Sequence, residues 1–582
     1  RTECVAHLFG GTPGAKPIEE GRGAAPGISS NIHGTTRART PLIFTNYNQG
    51  GSGGVLSTGF AADYRLMLEL AWLSAISPEG AYSIETRWLK KMGIEYEPEE
   101  LRKNMPSNLA ITADDVKRMG LIDRIVEEPP LGARPSDLTF FQRLRYELMR
   151  ATDITVMRAK NDKGLESYLA ANPDFESTNG EIEGYPRWLL NSSQKEKLVE
   201  IRRAKLRKLG EDMYSDERTT EQIKDQASGG PRHKSRLTKP AFSLLKRGIK
   251  HTIDGVVERA EEGLAEGKFR GHGLVPKRLT ARTGDIRGHL QSLEEKYSYD
   301  TSYQSKLVTP ENINGAVSCP TDNGCVDVWR KMLYEKYAGI CPSCEYHFPV
   351  EPEFLLARWF NAGSVELFNE EIGDINNLGF PYYDQRLKAA QKKSGHKSSV
   401  LTFKAKLYDI DIIGSMLIGT FWGGTIDTGG AEKIALAIEM AERERKPYAQ
   451  IVHMSGGVRI QGSAPALCAG MVKTSSVLGH YIEVGGLPIS IFAGKTYAGG
   501  PASFLGIPRI FGLHSAEYGF AGRDVIMETT GEDIPEDYHS IELARERGHL
   551  SGIWRRDDTR QNLYCEFVQF LPAKSKEFLY YG

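Results

Sequence analysis

The chain has 582 residues, 26% of them charged and 40% hydrophobic, with 74 Lys and Arg against 75 Asp and Glu. That length calls for two or three domains, and the balanced charge gives no global pull toward nucleic acid or an anionic membrane. No apolar run approaches the roughly 18–20 residues of a bilayer span, no charged-then-apolar segment opens the chain, and seven cysteines do not make a disulfide scaffold at this length. A cytoplasmic enzyme is the default expectation.

In chain order, Thr40 to Thr45 reads as a short buried strand leading into Asn48-Gln49-Gly50-Gly51-Ser52-Gly53-Gly54. The small residues from Val55 to Ala62 suit a helix packed close to a sheet, and Leu66 to Ile76 is a second apolar run ending at Ser77-Pro78-Glu79-Gly80. Thr112 is placed to cap a helix whose first turn holds Asp114 and Asp115. That helix stops at Gly120, and Leu121 to Val126 is a closing strand. Strands and helices alternating across glycine-rich turns define an α/β domain.

Thr12-Pro13-Gly14-Ala15, the Gly50–Gly54 loop, Ile76-Ser77-Pro78-Glu79-Gly80 and Gly120-Leu121-Ile122-Asp123 occur in this order here. Over roughly residues 10–135 the chain thereby resembles the carboxyltransferase alpha subunit of bacterial acetyl-CoA carboxylase. The resemblance implies several strands ahead of Thr12, where only eleven residues stand, so the N-terminal part of an alpha-like domain 1–135 is expected to be missing or supplied by another chain.

Residues 136–315 change character. Ser136 is placed to cap a helix through Phe141, Leu144, Leu148 and Met149, and Lys195 to Leu209 carries Leu198, Ile201, Leu206 and Leu209 among Lys and Arg. Gly229-Gly230-Pro231, Pro240 and the charged, glycine-rich stretch Gly263 to Arg282 punctuate it. This is expected to be a helical, charged insertion or linker packing on its neighbours, with the basic helix as a solvated face. In 316–349, Cys319 and Cys325 are followed by Cys341 and Cys344, two pairs that put four thiolates within reach of one structural Zn²⁺. Cys341-Pro342-Ser343-Cys344 is a zinc-knuckle spacing, whereas the first pair is stretched by five intervening residues.

From 350 to 582 the α/β pattern returns. Leu355, Leu356 and Trp359 suit a helix and Ser364 to Phe368 a strand, with a helix from Tyr383 to Lys392 and strands at Leu401–Leu407 and Asp411–Thr420. A helix follows from about Gly430. Pro447 to His453 then enters Met454-Ser455-Gly456-Gly457-Val458-Arg459, followed by a buried helix from Ala464 to Leu478. A strand, a tight turn and a helix aim backbone N–H groups at an anion or developing oxyanion. Leu487 to Phe492 and the Gly499-Gly500 turn repeat the arrangement, as does Tyr518 to Ile526, where a glycine turn precedes a helix. His453 is the best-placed candidate base, although a strand-end histidine more often serves structure. Cys468 reads as a small core residue, and Gly423-Gly424 as a plain tight turn.

The cysteine ribbon, Tyr383-Asp384 with Arg386-Leu387, Gln391-Lys392, Trp422-Gly423-Gly424, Glu432-Lys433-Ile434, Ser455-Gly456-Gly457 with Arg459, Lys473-Thr474-Ser475, Gly499-Gly500, Gly519 to Gly522 and Arg555-Arg556 form one set. Through them, residues 319–560 resemble the beta subunit of the same carboxyltransferase. His453-Met454, Gly462 and the stretched first cysteine pair depart from that pattern. The two resemblances together imply a fused carboxyltransferase made of two crotonase-like ββα spiral domains. It would move a carboxyl group from carboxybiotin on a separate carrier protein to acetyl-CoA, giving malonyl-CoA, or to a related acyl-CoA. They imply that Gly499-Gly500, with Gly456-Gly457, lines the acyl-CoA side, and that Gly53-Gly54, with Gly50-Gly51, serves the biotin ureido oxygen. Arg459, Arg523 and Lys392, with Ala521 and Gly522, are the implied contacts to CoA. Biotin carrier protein, biotin carboxylase and a homo-oligomer are the implied partners; neither membrane nor nucleic acid is expected. The shortage of convincing bases agrees with a mechanism in which the biotin anion itself takes the α-proton. Three alternatives stay open: a biotin-dependent acyl-CoA decarboxylase on the same fold, a biotin-independent crotonase-type hydratase or isomerase, and a non-catalytic zinc-ribbon scaffold or nucleic-acid binder.

Overall fold

The computed structural model of the protein describes residues 5–12, 23–50, 53–228, 283–321, 323–506, 509–531 and 533–570. Pro13-Gly14-Ala15, Gly51-Ser52, Gly229-Gly230-Pro231, Pro240 and the stretch from Gly263 to Arg282 lie outside the described residues. Arg1–Ile223 with Ser298–Gly582 form one compact unit and Lys224–Tyr297 a second, so the boundaries expected near 135, 315 and 349 all fall within the first. Two described helices lie wholly or partly in the second unit, Thr220–Ser228, which crosses its start, and Thr283–Lys296.

The first sheet is wholly parallel. Strands β1 (Ala6–Thr12), β2 (Leu42–Gly50) and β3 (Tyr64–Leu68) lie side by side, β4 (Trp72–Leu73) pairs with the end of β2, and β5 (Arg124–Val126) closes on β3. The apolar run from Leu66 is therefore two strands, divided where the Ala71 N–H turns back to the Leu68 carbonyl at 3.1 Å. Helices α1 (Ala24–Arg37), α2 (Gly53–Phe60), α3 (Pro78–Met92) and α4 (Ala113–Arg118) connect these strands. Ser77-Pro78-Glu79-Gly80 is a helix start: the Ser77 hydroxyl accepts from the Gly80 N–H at 3.1 Å and Pro78 gives up no bonded N–H. Thr112 caps α4 as expected, in a capping box with Asp115. Further on, α5 (Leu138–Lys160) starts after Asp137 rather than at a Ser136 cap, and α6 (Ser192–Arg207) is boxed by Asn191 and Gln194.

In the second half, β6 (Ser215–Asp216) pairs with β10 (Ile372–Gly373), while β7 (Ala316–Val317) and β8 (Val328–Trp329) form the small ribbon. The main sheet has the order β16 (Gly552–Trp554), β15 (Arg509–Leu513), β14 (Pro488–Phe492), β13 (Tyr448–Val452), β12 (Ile410–Leu417), β11 (Val400–Leu407), β9 (Glu366–Phe368). It is parallel from β12 to β16 and antiparallel at the β9 end. The helices that matter below are α7 (Tyr383–Ser394), α8 (Thr428–Glu444), α9 (Ser463–Leu467), the π-helical turn Cys468–Lys473, α10 (Thr474–Glu483) and α11 (Arg523–Thr530). The buried helix expected from Ala464 to Leu478 is thus continuous but under-wound at its middle by the π turn. One hydrophobic cluster runs from Phe44, Phe60 and Leu66 of the first sheet to Ile434, Met471 and Leu478 of the second half. No helix among the described residues is long and apolar enough to cross a membrane.

The basic helix α6 is not a solvated face. Arg202 is fully buried and grips Asp63 with two bonds, 2.9 and 2.7 Å, while donating to the carbonyls of Thr35, Ala38 and Thr40. Lys205 reaches Asp123 at 2.5 Å and the Asp63 carbonyl at 2.7 Å; burial, then the charge of Arg65, pulls its amine down to about 7. The same helix turns Arg207 to Glu432 and Glu439 of α8, and Arg203 to Glu483 of α10. It therefore holds the first sheet and the second half together. Removing Arg202 would leave the Asp63 carboxylate buried without its cation, a loss of about 3–5 kcal/mol. Arg202→Met should lower the urea midpoint accordingly, with Asp63→Asn in the same chain restoring part of it. A single variant within about 1 kcal/mol of wild type would show that Asp63 is held by other groups.

Candidate active site

Backbone N–H accounting separates the glycine turns. The Gly456 N–H donates to the Gly423 carbonyl at 3.0 Å, and the Gly457 N–H to the Ser455 hydroxyl at 3.2 Å. These two amides hold the turn itself. By contrast, among the described residues the N–H groups of Gly499 and Gly500 have no partner. The two turns abut: a Cβ on Gly457, whose φ is +81°, would lie 2.9 Å from the Gly499 nitrogen and 2.4 Å from Ala498 Cβ. Short parallel bridges, Ser455 with Thr496 and Thr496 with Tyr518, stack the three turns. Ser455 is fully buried beneath them, which removes it as a nucleophile. Gly423 and Gly424, at φ +65° and +70°, are the plain turn expected; a Cβ on Gly424 would lie 2.0 Å from the Met454 carbonyl oxygen.

Arg459 is not a phosphate contact. It is fully buried, with Nη1 on Asp374 at 2.9 Å, on the Tyr383 hydroxyl at 2.9 Å and on Asp427 at 3.4 Å, and Nη2 on the Thr425 carbonyl at 3.0 Å. The guanidinium lies 4.6 Å from the Trp422 ring centroid. Burial pushes the Asp374 carboxyl up to about 6, against the pull of Arg459. Arg386 also lies over Trp422, 4.8 Å from the ring centroid, stacks 4.1 Å over Trp88 and pairs with Glu85 of α3. Gln461 donates to the same Glu85 at 2.9 Å. Arg459 thus braces the turn, and Gln461 with Arg386 braces its junction with α3.

Of the other expected CoA contacts, Arg523 is tied to its own loop through Asp533 at 2.6 Å and the Pro535 carbonyl at 2.6 Å. Lys392 is exposed near the end of α7, and Ala521 and Gly522 stand just ahead of α11, Gly522 in its N-cap position. Gly50 ends β2 pressed against β4, where a Cβ would lie 2.3 Å from the Trp72 carbonyl, and Gly51 lies outside the described residues. Gly53 and Gly54 open α2. The structure packs α2 against the π turn Cys468–Lys473, where Met471 meets Ser57 of α2 and borders the place a Cβ would take on Gly499.

His453 is locked in place. Its Nε2 faces the Val350 carbonyl at 2.7 Å and its Nδ1 faces the Gly419 N–H at 3.2 Å. A carbonyl only accepts and an amide N–H only donates, so the ring is the neutral Nε2–H tautomer with both nitrogens committed. Burial lowers its pKa further. Cys468 is fully buried with its thiol pushed up to about 12, as a core residue would be. At the ribbon, Cys319, Cys325, Cys341 and Cys344 have sulfurs all within 4.8 Å of one another, and the Thr321 hydroxyl beside Cys344 pulls that thiol down to about 6.

What motif reading missed is α6 and the partners of Arg459. A signal for α6 was present: Leu198, Val199, Arg202 and Leu206 are its buried face, so an arginine stands on the apolar stripe and needs a buried acid. Asp374 and Asp427 carried no such sign, being remote from Arg459 in sequence.

Residues 7–167 match the family model described as Acetyl co-enzyme A carboxylase carboxyltransferase-like. The matched span contains the segment, roughly residues 10–135, whose motifs resemble the carboxyltransferase alpha subunit. Among solved structures, a hexameric transcarboxylase 12S with methylmalonyl-coenzyme A bound is 19% identical over 38% of this chain and 42% of its own, at a TM-score of 0.31. The beta subunit of geranyl-CoA carboxylase from P. aeruginosa is 16% identical over 52% of this chain and 49% of its own, also at 0.31. The malonate decarboxylase MdcD-MdcE heterodimer from Pseudomonas is 21% identical over 31% of this chain and 83% of its own, at 0.27. The chain spans less than half the length of the transcarboxylase it matches.

The locked histidine has a pH signature. His453 stays neutral in the fold, whereas in an unfolded chain it takes up a proton below its ordinary value of 6.5. The unfolded state then binds more protons, so stability present at neutral pH is lost as pH falls below that value, by up to about 1.4 kcal/mol per pH unit until the lowered folded pKa is reached. Chemical denaturation at pH 7 and pH 5 should show a flatter pH slope for His453→Gln than for wild type. Equal slopes would mean that His453 takes up a proton without unfolding.

Proposed function

We propose that the protein is the carboxyltransferase component of a biotin-dependent acyl-CoA carboxylase. It transfers the carboxyl group of carboxybiotin, held on a separate carrier protein, to the α-carbon of acetyl-CoA or a related acyl-CoA. The observation that carries this reading is the pair of unpartnered N–H groups at Gly499 and Gly500, set across Met471 from the helix that Gly53 and Gly54 open. Amides without an internal acceptor are preorganised donors for a thioester oxygen as it becomes an enolate oxyanion, and stabilisation of this kind is worth about 10²–10³ in rate per donor. The start of α2 offers the same kind of donors to the biotin ureido oxygen. Biotin supplies the carboxyl group and a nitrogen base for the α-proton. That division of labour suits a site in which His453 is committed to structure and Ser455 is buried. It also disfavours the hydratase or isomerase alternative, which needs a protein acid–base pair.

On this reading each half of the chain carries one crotonase-like spiral, the active site lies between them, and biotin carboxylase, the biotin carrier and further copies of the chain are partners. The four ribbon thiols suit a structural Zn²⁺, since sulfurs in a tetrahedron with Zn–S of about 2.3 Å stand about 3.8 Å apart; Cys319 and Cys344 are 3.5 Å apart. Zinc there would brace the ribbon and take no part in carboxyl transfer.

The decisive test presents carboxybiotinylated carrier bearing a labelled carboxyl to acetyl-, propionyl- and longer acyl-CoA. Label entering acyl-CoA is the expected result; its release as CO₂ alone, or turnover of an enoyl-CoA without biotin, would overturn the reading. Gly499→Ala drives a Cβ to 2.9 Å from Val458 Cγ2 and 3.0 Å from Met471 Sδ, so the turn must shift. It should cut kcat by about 10²-fold, the scale expected for an ångström of misplacement. Metal analysis should find one zinc per chain, reduced in Cys344→Ser while acyl-CoA KM stays unchanged.

A further inference from the structure

Between the Gly499 turn and α2 stands one side chain to which neither motif assigns a role. Met471 is fully buried in the π-helical turn Cys468–Lys473. Such turns add a residue to the helix, re-aim the side chains that follow, and recur at functional sites. Here the thioether borders both elements. The Ser57 hydroxyl of α2, one turn past Gly53 and Gly54, donates to Sδ at 3.6 Å. The place a Cβ would take on Gly499 lies 3.0 Å from Sδ, 3.4 Å from Met471 Cγ and 2.9 Å from Val458 Cγ2. Val458 directly follows the Gly456-Gly457 turn, so Val458 and Met471 together bracket Gly499.

We propose that Met471 is a positioning residue that sets the separation between the Gly499-Gly500 N–H groups and the N-terminus of α2. This rests on the carboxyltransferase reading, in which the two places hold the two reactants whose carbon atoms must meet. Carboxyl transfer is steeply dependent on that separation, whereas binding of either reactant depends on its own turn alone. An unbranched thioether suits the position, because it fills the narrow space beside Gly499 and still offers Ser57 an acceptor.

The test compares Met471→Leu, Met471→Ala and wild type in the full chain, with steady-state transfer and amide hydrogen exchange read on the same preparations. Met471→Ala should lower kcat by about 10–100-fold, with KM for acyl-CoA and for the biotin donor each within about twofold of wild type. Met471→Leu keeps the volume and should retain most of the rate. In exchange, Met471→Ala should loosen the amides of Gly499-Gly500 and of the first turn of α2 together, leaving β13 and β14 as protected as in wild type. A rise in one KM with kcat unchanged, or exchange quickened in the 468–473 turn alone, would overturn the proposal. Wild-type protein without transfer activity would sink the functional reading instead. The paired loosening of the two turns would still be measurable in that case, and its absence would sink the strut as well.

Discussion

The fold hangs on a cation placed where an apolar side chain would ordinarily be. Arg202 sits on the buried stripe of α6, and its guanidinium makes five hydrogen bonds, two to Asp63 and three to backbone carbonyls around the start of β2. Burying a charge is tolerable only when every donor is met, and here they are. Because Lys205, Arg203 and Arg207 on the same helix reach into both halves, α6 converts two sheets far apart in sequence into one compact unit with a hydrophobic cluster that spans both. A hydrophobic helix in its place would supply contact without register. Directional bonds to Asp63, Asp123, Glu432 and Glu483 fix where each half stands.

The same logic recurs at the turns. Arg459 lies within hydrogen-bonding or ion-pair reach of Asp374, Asp427, Tyr383 and Thr425 and stacks on Trp422, while Arg386 also lies over that ring and pairs with Glu85. Positive charge next to a glycine-rich turn invites a phosphate interpretation, but two fully buried carboxylates beside Arg459 neutralise it within the protein. These arginines hold the turns rigid, and rigidity is what an N–H donor needs if it is to meet a developing charge without reorganising. The turn that leaves its amides open, Gly499-Gly500, leans on the one whose amides are closed, Gly456-Gly457.

Much of the architecture was legible in the sequence. The strands at 42–50, 400–407, 410–417, 448–452 and 488–492, the Thr112 cap and the cysteine cluster follow from periodicity, capping chemistry and spacing, all of which are local. The recognition of a carboxyltransferase over the first part of the chain rested on glycine and helix-start motifs that are local as well, and the match of residues 7–167 agrees with it. The basic row of α6 and Arg459 are committed to partners remote in sequence, as far as 280 positions away at Glu483 for Arg203, whereas His453 serves structure, as a strand-end histidine more often does.

The sequence by itself therefore determined which segments become strands, helices and turns, and where glycines permit tight backbone turns. Only the tertiary structure decided which of those glycines keep a free N–H, which charges face solvent and which histidine has both nitrogens bound. Hydrogen-bond satisfaction is a property of the assembled interior: a turn written Ser-Gly-Gly and a turn written Ala-Gly-Gly look alike along the chain. They differ because the Gly423 carbonyl and the Ser455 hydroxyl come within 3.0 and 3.2 Å of the first pair of amides and no described group does so for the second.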